Sequence, residues 1–448
     1  MHKRICIHNA TLVNEGRSFV GSLVTEDDRI VEIVEGQDAT PSVPADEVVE
    51  AEGCYLLPGV IDTHVHFREP GLTAKADMES ESRAAAAGGV TTFLDMPNNV
   101  PPTVSIADLR DKLDRAYHHS HVNFGFYIGA TRSNINEITR LNPRKVCGIK
   151  LFMGASTGGM MMNDPEALQD LFEQARIPIV AHCEDSALIN RNLQHIQAQY
   201  GPDPDVALHA AIRSEEACYK STSAAVRLAV STGAQLHIAH LSTARELRLI
   251  KPQTHPHITA EACVGHLLFT DADYARLGSR IKCNPAIKTA ADREALRQAL
   301  TSGKIFTVGT DHAPHLLADK KGGCVRAASG MPLIQFSLPA MLELTEQNIL
   351  SIERVVELMC HNPARLFHIE NRGFLREGYA ADLTIVRPKA FWTLTPNRIE
   401  SKCGWSPLEG HTFHWKVEKT YCNGFLIYNH GYITDTDFHG MAVTYMRS

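Results

Sequence analysis

The chain has no CxxC pair, and its cysteines are 11 in number, odd and scattered singly. Neither a disulfide framework nor a zinc knuckle is expected from that pattern. The thiols read instead as buried side chains in a reducing compartment. Long apolar runs are also missing, with no stretch approaching the roughly eighteen residues that mark a membrane span. The opening MHKRICIHNATLV lacks the apolar core of a signal peptide. A soluble, cytoplasmic protein is the expectation. There is no dense Lys/Arg block, and 44 basic against 51 acidic residues give a formal charge of -7. Neither nucleic acid nor a membrane surface is expected as a partner.

What is present is enough apolar material for a large core: 448 residues, 44% hydrophobic and 21% charged. Residues 1–57 read as short strands, RICIHNATLV, SLVTEDDRIVEIVEG and EVVEAEGCYLLP, whose alternation predicts half-buried antiparallel pairing. From residue 58 the pattern becomes strand, polar loop, helix, repeated. Candidate strands fall at 59–67, 89–96, 122–129, 147–153, 177–184, 234–242, 257–264 and 304–312. Helix ends are marked by SESRAAAAGG closing on Gly88, by Asp164 before Pro165, and by Thr289 with Asp292. Eight such units predict a (β/α)8 TIM-like barrel over residues 58–372. After the helix around SIERVVELMCHNPARLF strand character returns, with a hairpin signal at Asn423-Gly424. Residues 1–57 and 373–448 are each too small to stand alone. They are expected to form one small β-sandwich-like domain together.

In a barrel, the C-terminal strand ends open on one face, so distant residues converge there. Those ends carry His64 and His66, Asn98, Lys150, His182, His240 and Asp311. An HxH pair alone is a weak signal, since two histidines near a strand end are often ordinary. With period-two alternation, however, His64, His66 and Arg68 share one strand face. Imidazoles with a carboxylate suit zinc or a similar divalent ion. Lys150 has two readings that position leaves open: an unmodified lysine paired at the rim of a one-metal site, or a carbamate bridging two cations. Two cations sharing a hydroxide would supply a nucleophile at neutral pH. Asp311, which in isolation would read as a helix cap, could bind metal and move the proton to a leaving nitrogen. Amide-bond hydrolysis or formation is the reaction class.

The motifs HVHFREPG, DMPNN, GIKLFMGASTG, AHCED, HIAHLST, TAEACVGHLLFT, NPAIK and TDHAPH, in this order over nearly the whole chain, resemble a long-type dihydroorotase of the amidohydrolase superfamily. The resemblance implies a distorted barrel beside a β-rich domain, and zinc-dependent interconversion of N-carbamoyl-L-aspartate and L-dihydroorotate in pyrimidine synthesis. It implies metal ligation by His64, His66, carboxylated Lys150, His182, His240 and Asp311, with Asp311 catalytic and two Zn2+ ions per chain. Arg68, Asn98, Asn284 and His315 match positions that bind the substrate's carboxylate and ring, and Ala327 to Gly330 a loop against the ring. His237 matches no ligand position and is expected to be structural. A small-molecule substrate and a homo-oligomer such as a dimer are the implied partners.

Departures from the family pattern are Lys288, where arginine is common, and Gly265-His266. Members without the bridging lysine place aspartates in the segment after GIKLFM. Here the lysine is present and the glycine-rich stretch has no aspartate, which favours a bridged centre. Two alternatives stand beside this reading: a hydantoinase, dihydropyrimidinase or allantoinase sharing the metal site, and an inactive scaffold homologue. Arg68 and Asn98 argue against the first, the complete ligand set against the second.

Overall fold

The computed structural model describes residues 3–154, 160–434 and 438–447. Its central element is a parallel sheet of eight strands that neighbour one another in chain order: β6 (Val60–Val65), β7 (Val90–Asp95), β8 (Asn123–Gly129), β9 (Gly148–Met153), β10 (Ile179–Cys183), β11 (Leu236–Ile238), β12 (Ile258–Cys263) and β13 (Thr307–Gly309). The sheet curls until its edges meet. Val65 forms a parallel bridge to His312, and the His66 amide donates to the His312 carbonyl at 2.8 Å. Every residue of β6 to β10 is buried. That is why these segments read as near-continuous apolar runs, as strands covered on both faces must. The arrangement is the expected TIM-like barrel.

Helices between the strands begin and end where the sequence marks them. Asp77 and Ser80 form a capping box on Met78–Ala87, which closes at Gly88. Asp164 caps Pro165–Gln174, and Thr289 with Asp292 caps Ala290–Ala299. The apolar segment around residue 357 is not one regular helix: a π-helical turn, Glu357–His361, separates Ile352–Val356 from Asn362–Phe367.

Both ends of the chain build a second sheet. From the N-terminal side come β1 (Arg4–Asn14), β2 (Arg17–Glu26), β3 (Arg29–Glu35), β4 (Glu47–Glu50) and β5 (Tyr55–Pro58). From the C-terminal side come β14 (Leu383–Arg387), β17 (Lys416–Cys422), β18 (Phe425–Asn429) and β19 (Tyr432–Ile433), while β15 (Trp392–Thr393) and β16 (Thr412–Phe413) pair separately. The two sets join where β5 lies between β1 and β14. The hairpin at Asn423-Gly424 connects β17 to β18 with φ of 49° and 79°, the left-handed pair that a tight primed turn requires. One expectation is corrected. β4 and β5 run parallel to β1, not antiparallel, because the chain crosses back over residues 36–46 before re-entering the sheet.

A second correction bears on the site. Strands predicted to run through 67, 242 and 312 stop at Val65, Ile238 and Gly309. Just beyond those ends Arg68, His240 and Asp311 adopt φ of 69°, 36° and 49°. Left-handed backbone cannot continue a strand. Arg68 therefore does not extend the face of His64 and His66 by simple alternation; a backbone reversal aims it.

Candidate active site

All ten residues singled out by the sequence line one cavity of about 590 Å³. His64, His66, Lys150, His182, His240 and Asp311 form its floor at the C-terminal strand ends. Arg68, Asn98, Asn284 and His315 stand higher, with Ala327 to Gly330 beside them. His237 does not line the cavity. Its ring nitrogens bond Thr259 Oγ1 at 2.7 Å and Thr307 Oγ1 at 3.1 Å, a satisfied core histidine.

The floor is a convergence of acceptors. His64 Nδ1 lies 2.7 Å from Glu261 Oε1, and His66 Nδ1 lies 2.6 Å from Asn98 Oδ1. Both partners accept, so in its neutral form each ring carries its hydrogen on Nδ1 and turns a lone pair at Nε2 inward. Burial holds His66 down to about 4, against the pull of Asp311. Both Nε2 atoms face the same carboxylate oxygen, Asp311 Oδ1, at 3.4 and 3.0 Å. Across the floor, Glu184 Oε2 takes the Nε2 hydrogen of His182 at 3.0 Å, and His182 Nδ1 points at His240 Nε2 over 2.9 Å. His240 Nδ1 and the ammonium of Lys150, itself only 1% exposed, have no hydrogen-bond partner.

These residues fit divalent cations. Lone pairs facing a carboxylate repel one another unless a positive charge lies among them, and imidazole with carboxylate is the donor set that zinc prefers. His64, His66 and Asp311 bring ligand atoms within 4.8 Å of one another, and so do His64, Glu261 and Cys263. The second group contains no outward lone pair of His64, whose Nδ1 is bound to Glu261. The first group is the better metal site. Burial lowers Lys150 to about 8.

The upper wall is cationic. Arg68, Lys75, Arg213 and Lys282 line the cavity besides Lys150 of the floor, and among the described residues Asp311 is the one acid that does. Arg68 Nε donates to the Pro314 carbonyl at 3.0 Å, which turns Nη2 toward His315 Nε2 at 3.1 Å. Asn284 Oδ1 accepts from His209 Nε2 at 3.0 Å. Gly330 packs against His315: a Cβ there would meet the Ala313 carbonyl at 2.4 Å and His315 Cδ2 at 3.0 Å. Its φ of +142° also excludes other residues.

Sequence reading missed the groups that hold the floor in place. Glu261 Oε1 accepts from His64, from the His240 amide at 3.1 Å and from Cys263 Sγ at 3.3 Å. Glu184 is shared by His182 and Arg213, which together keep it ionised, at about 2, although burial alone would raise it. A carboxylate inside the apolar run ITAEAC, and one two residues after His182, are signals that could have found both. Arg213 and Lys75 come from a helix end and a loop and left no such trace. The stretch Ala155 to Gly159 of the glycine-rich segment lies outside the described residues.

The Amidohydrolase family profile matches residues 55–426. A dihydroorotase of Methanosarcina mazei is 34% identical over 420 residues, covering 91% of this chain and 90% of that protein. An allantoinase of Bacillus velezensis is 31% identical, covering 95% and 94%. The solved L-hydantoinase (dihydropyrimidinase) from Arthrobacter aurescens superposes with a TM-score of 0.93 at 28% identity, covering 99% of this chain and all of that one. The chain belongs to the amidohydrolase family, as a cyclic amide hydrolase on a (β/α)8 barrel.

Proposed function

We propose that the chain is a dihydroorotase, which interconverts N-carbamoyl-L-aspartate and L-dihydroorotate in de novo pyrimidine biosynthesis. The observation that carries this reading is the Arg68–His315 pair, 3.1 Å apart in the cavity that also holds Asp311. A buried guanidinium beside an imidazole suits a planar carboxylate. Dihydroorotate carries one on its ring, whereas allantoin and hydantoin do not. The likeness to an archaeal dihydroorotase supports the same choice.

His64 and His66 with Asp311, and His182 with His240, are the proposed ligands of two zinc ions. Carboxylated Lys150 is proposed between them. Its lowered basicity supports this, because an uncharged amine is the form that captures carbon dioxide with release of a proton. Zinc bound there supplies an activated water and polarises the amide carbonyl. Asp311 would serve as the proton carrier, taking a proton from the attacking water and delivering it to the ring nitrogen as the C–N bond breaks, with the reverse transfer in cyclisation. Arg68, Asn98, Asn284 and His315 hold the ring so that its amide carbon faces Asp311. A cytoplasmic homo-oligomer such as a dimer is the proposed setting, checked by sedimentation.

The allantoinase relative at similar identity favours a second reading, a carboxylate-free cyclic substrate. One assay decides: ring opening of dihydroorotate, allantoin and hydantoin by the purified chain, read with its zinc content. Dihydroorotate is expected to be opened preferentially. Turnover of allantoin or hydantoin with dihydroorotate unchanged would sink the proposal, and a zinc-free, inert protein would point to a scaffold. Lys150→Ala should lose bound zinc and most activity, and regain part of both with added acetate.

A further inference from the structure

We propose that Lys75 sets the tautomer of His315 and thereby makes the cavity selective for a carboxylate, so that Lys75 is a positioning residue for the substrate. The ligand's identity rests on the dihydroorotase reading, whereas the tautomer rests on the groups around the His315 ring.

Lys75 comes from the loop between β6 and the helix Met78–Ala87. Its Nζ lies 3.1 Å from His315 Nδ1 and 3.6 Å from Asp319 Oδ2, so it bridges this loop to the one that follows β13. An ammonium has three hydrogens and no lone pair. His315 Nδ1 can face it only as an acceptor. The ring is neutral, since burial, together with Arg68, Lys75 and Lys320 nearby, holds its pKa down to about 2. A neutral imidazole accepting at Nδ1 carries its hydrogen on Nε2.

That assignment matters because of what Nε2 faces. It lies 3.0 Å from the Ser329 carbonyl and 3.1 Å from Arg68 Nη2. Guanidinium nitrogens do not accept. With hydrogen on Nε2, His315 donates to the Ser329 carbonyl and does not accept from Arg68, so the Arg68 Nη2 hydrogens stay available to the cavity, where a carboxylate answers them. With hydrogen on Nδ1 instead, Nε2 would accept from Arg68, and that Arg68 hydrogen would be lost to the cavity. The Ser329 carbonyl would lose its partner as well. Arg68 alone favours this second state; Lys75 at Nδ1, with the Ser329 carbonyl at Nε2, tips the ring to the first. The ring is also kept from drifting: Gly330 packs at its edge, and Trp405 Nε1 holds the His315 carbonyl at 2.7 Å.

The test uses the zinc-loaded full chain with Lys75→Met and Lys75→Arg, and orotate as a non-reacting probe set against uracil, the same ring type without the carboxylate. Neutron diffraction of the unaltered protein should place deuterium on His315 Nε2, and of Lys75→Met on Nδ1. Lys75→Met should raise the KM for dihydroorotate and the Kd for orotate about tenfold or more, as loss of a charge-assisted contact does. Uracil binding and kcat should change far less, and Lys75→Arg should recover most of the loss. A KM and orotate Kd within about twofold of the starting values, or deuterium on Nδ1 in the unaltered protein, would overturn the inference. If Lys75→Met weakens binding but leaves the hydrogen on Nε2, the lysine acts by charge alone and the tautomer role falls. Should the unaltered protein leave dihydroorotate untouched, the dihydroorotase reading fails, while the neutron map still decides the tautomer.

Discussion

Arg68, His240 and Asp311 all stand on left-handed backbone, a conformation that costs a non-glycine residue on the order of 1–3 kcal/mol. Local bonds hold two of the reversals. The His240 amide donates to Glu261, and beside Asp311 the Thr310 hydroxyl donates to Asp62 Oδ2 at 2.6 Å. Asp311→Asn keeps the size and loses the proton carrier in the proposed mechanism. Turnover is expected to fall by about 10²–10⁴-fold with zinc content largely retained, measured as kcat beside metal analysis of the same sample. His315 carries a pH signature. Its folded pKa, about 2, lies below the 6.5 of an unhindered histidine, so between these values the unfolded chain binds the extra proton. Its contribution to stability is complete above pH 6.5 and is lost as pH falls toward 2. Urea titrations at pH 7 and pH 4.5 should show His315→Asn losing less stability on acidification than the unaltered chain.

Among the elements, the helix Ile106–His119 does more than cover the barrel. Lys112, completely buried, reaches from it to Asp95 Oδ2 at 2.6 Å, the Met96 carbonyl at 2.8 Å and Asn99 Oδ1 at 3.1 Å. The other oxygen of Asp95 accepts the Phe67 amide at 2.8 Å. One ammonium thus ties together the segments that carry His66, Arg68 and Asn98. Lys112→Met leaves Asp95 charged and buried, so a loss of about 3–5 kcal/mol is expected in equilibrium unfolding. A rise in KM for the carboxylate substrate should accompany it. Sequence could not show this. On a helical pattern Lys112 reads as one more solvated charge, and only the docking of the helix over β7 and β8 decides otherwise.

At the scale of the whole molecule, barrel and terminal sheet meet through a buried polar knot. Asp382, just before β14, accepts from Asn123 Nδ2 of β8, from the Asn423 amide and from Arg372, and its own carbonyl accepts the Gly59 amide at 2.8 Å. Asp382→Ala strands Arg372 and opens the joint. A destabilisation of about 3–5 kcal/mol is expected in denaturant titration. The described residues include no helix long and apolar enough to cross a membrane, and their cysteines are all buried and free.

Sequence alone determined the eight-strand rhythm, the helix caps, the turn at Asn423-Gly424 and the ten cavity residues. Periodicity, capping and turn chemistry are local, and the polar residues that follow each barrel strand are readable from its own few residues. Only the tertiary structure decided where the strands stop, how Arg68 is aimed, and which groups brace the site. Those depend on partners far away in the chain: Glu261 on His64, Arg213 on Glu184, Lys112 on Asp95, Lys75 on His315. A charge in a loop or on a helix face carries no local mark of the distant group that it will meet.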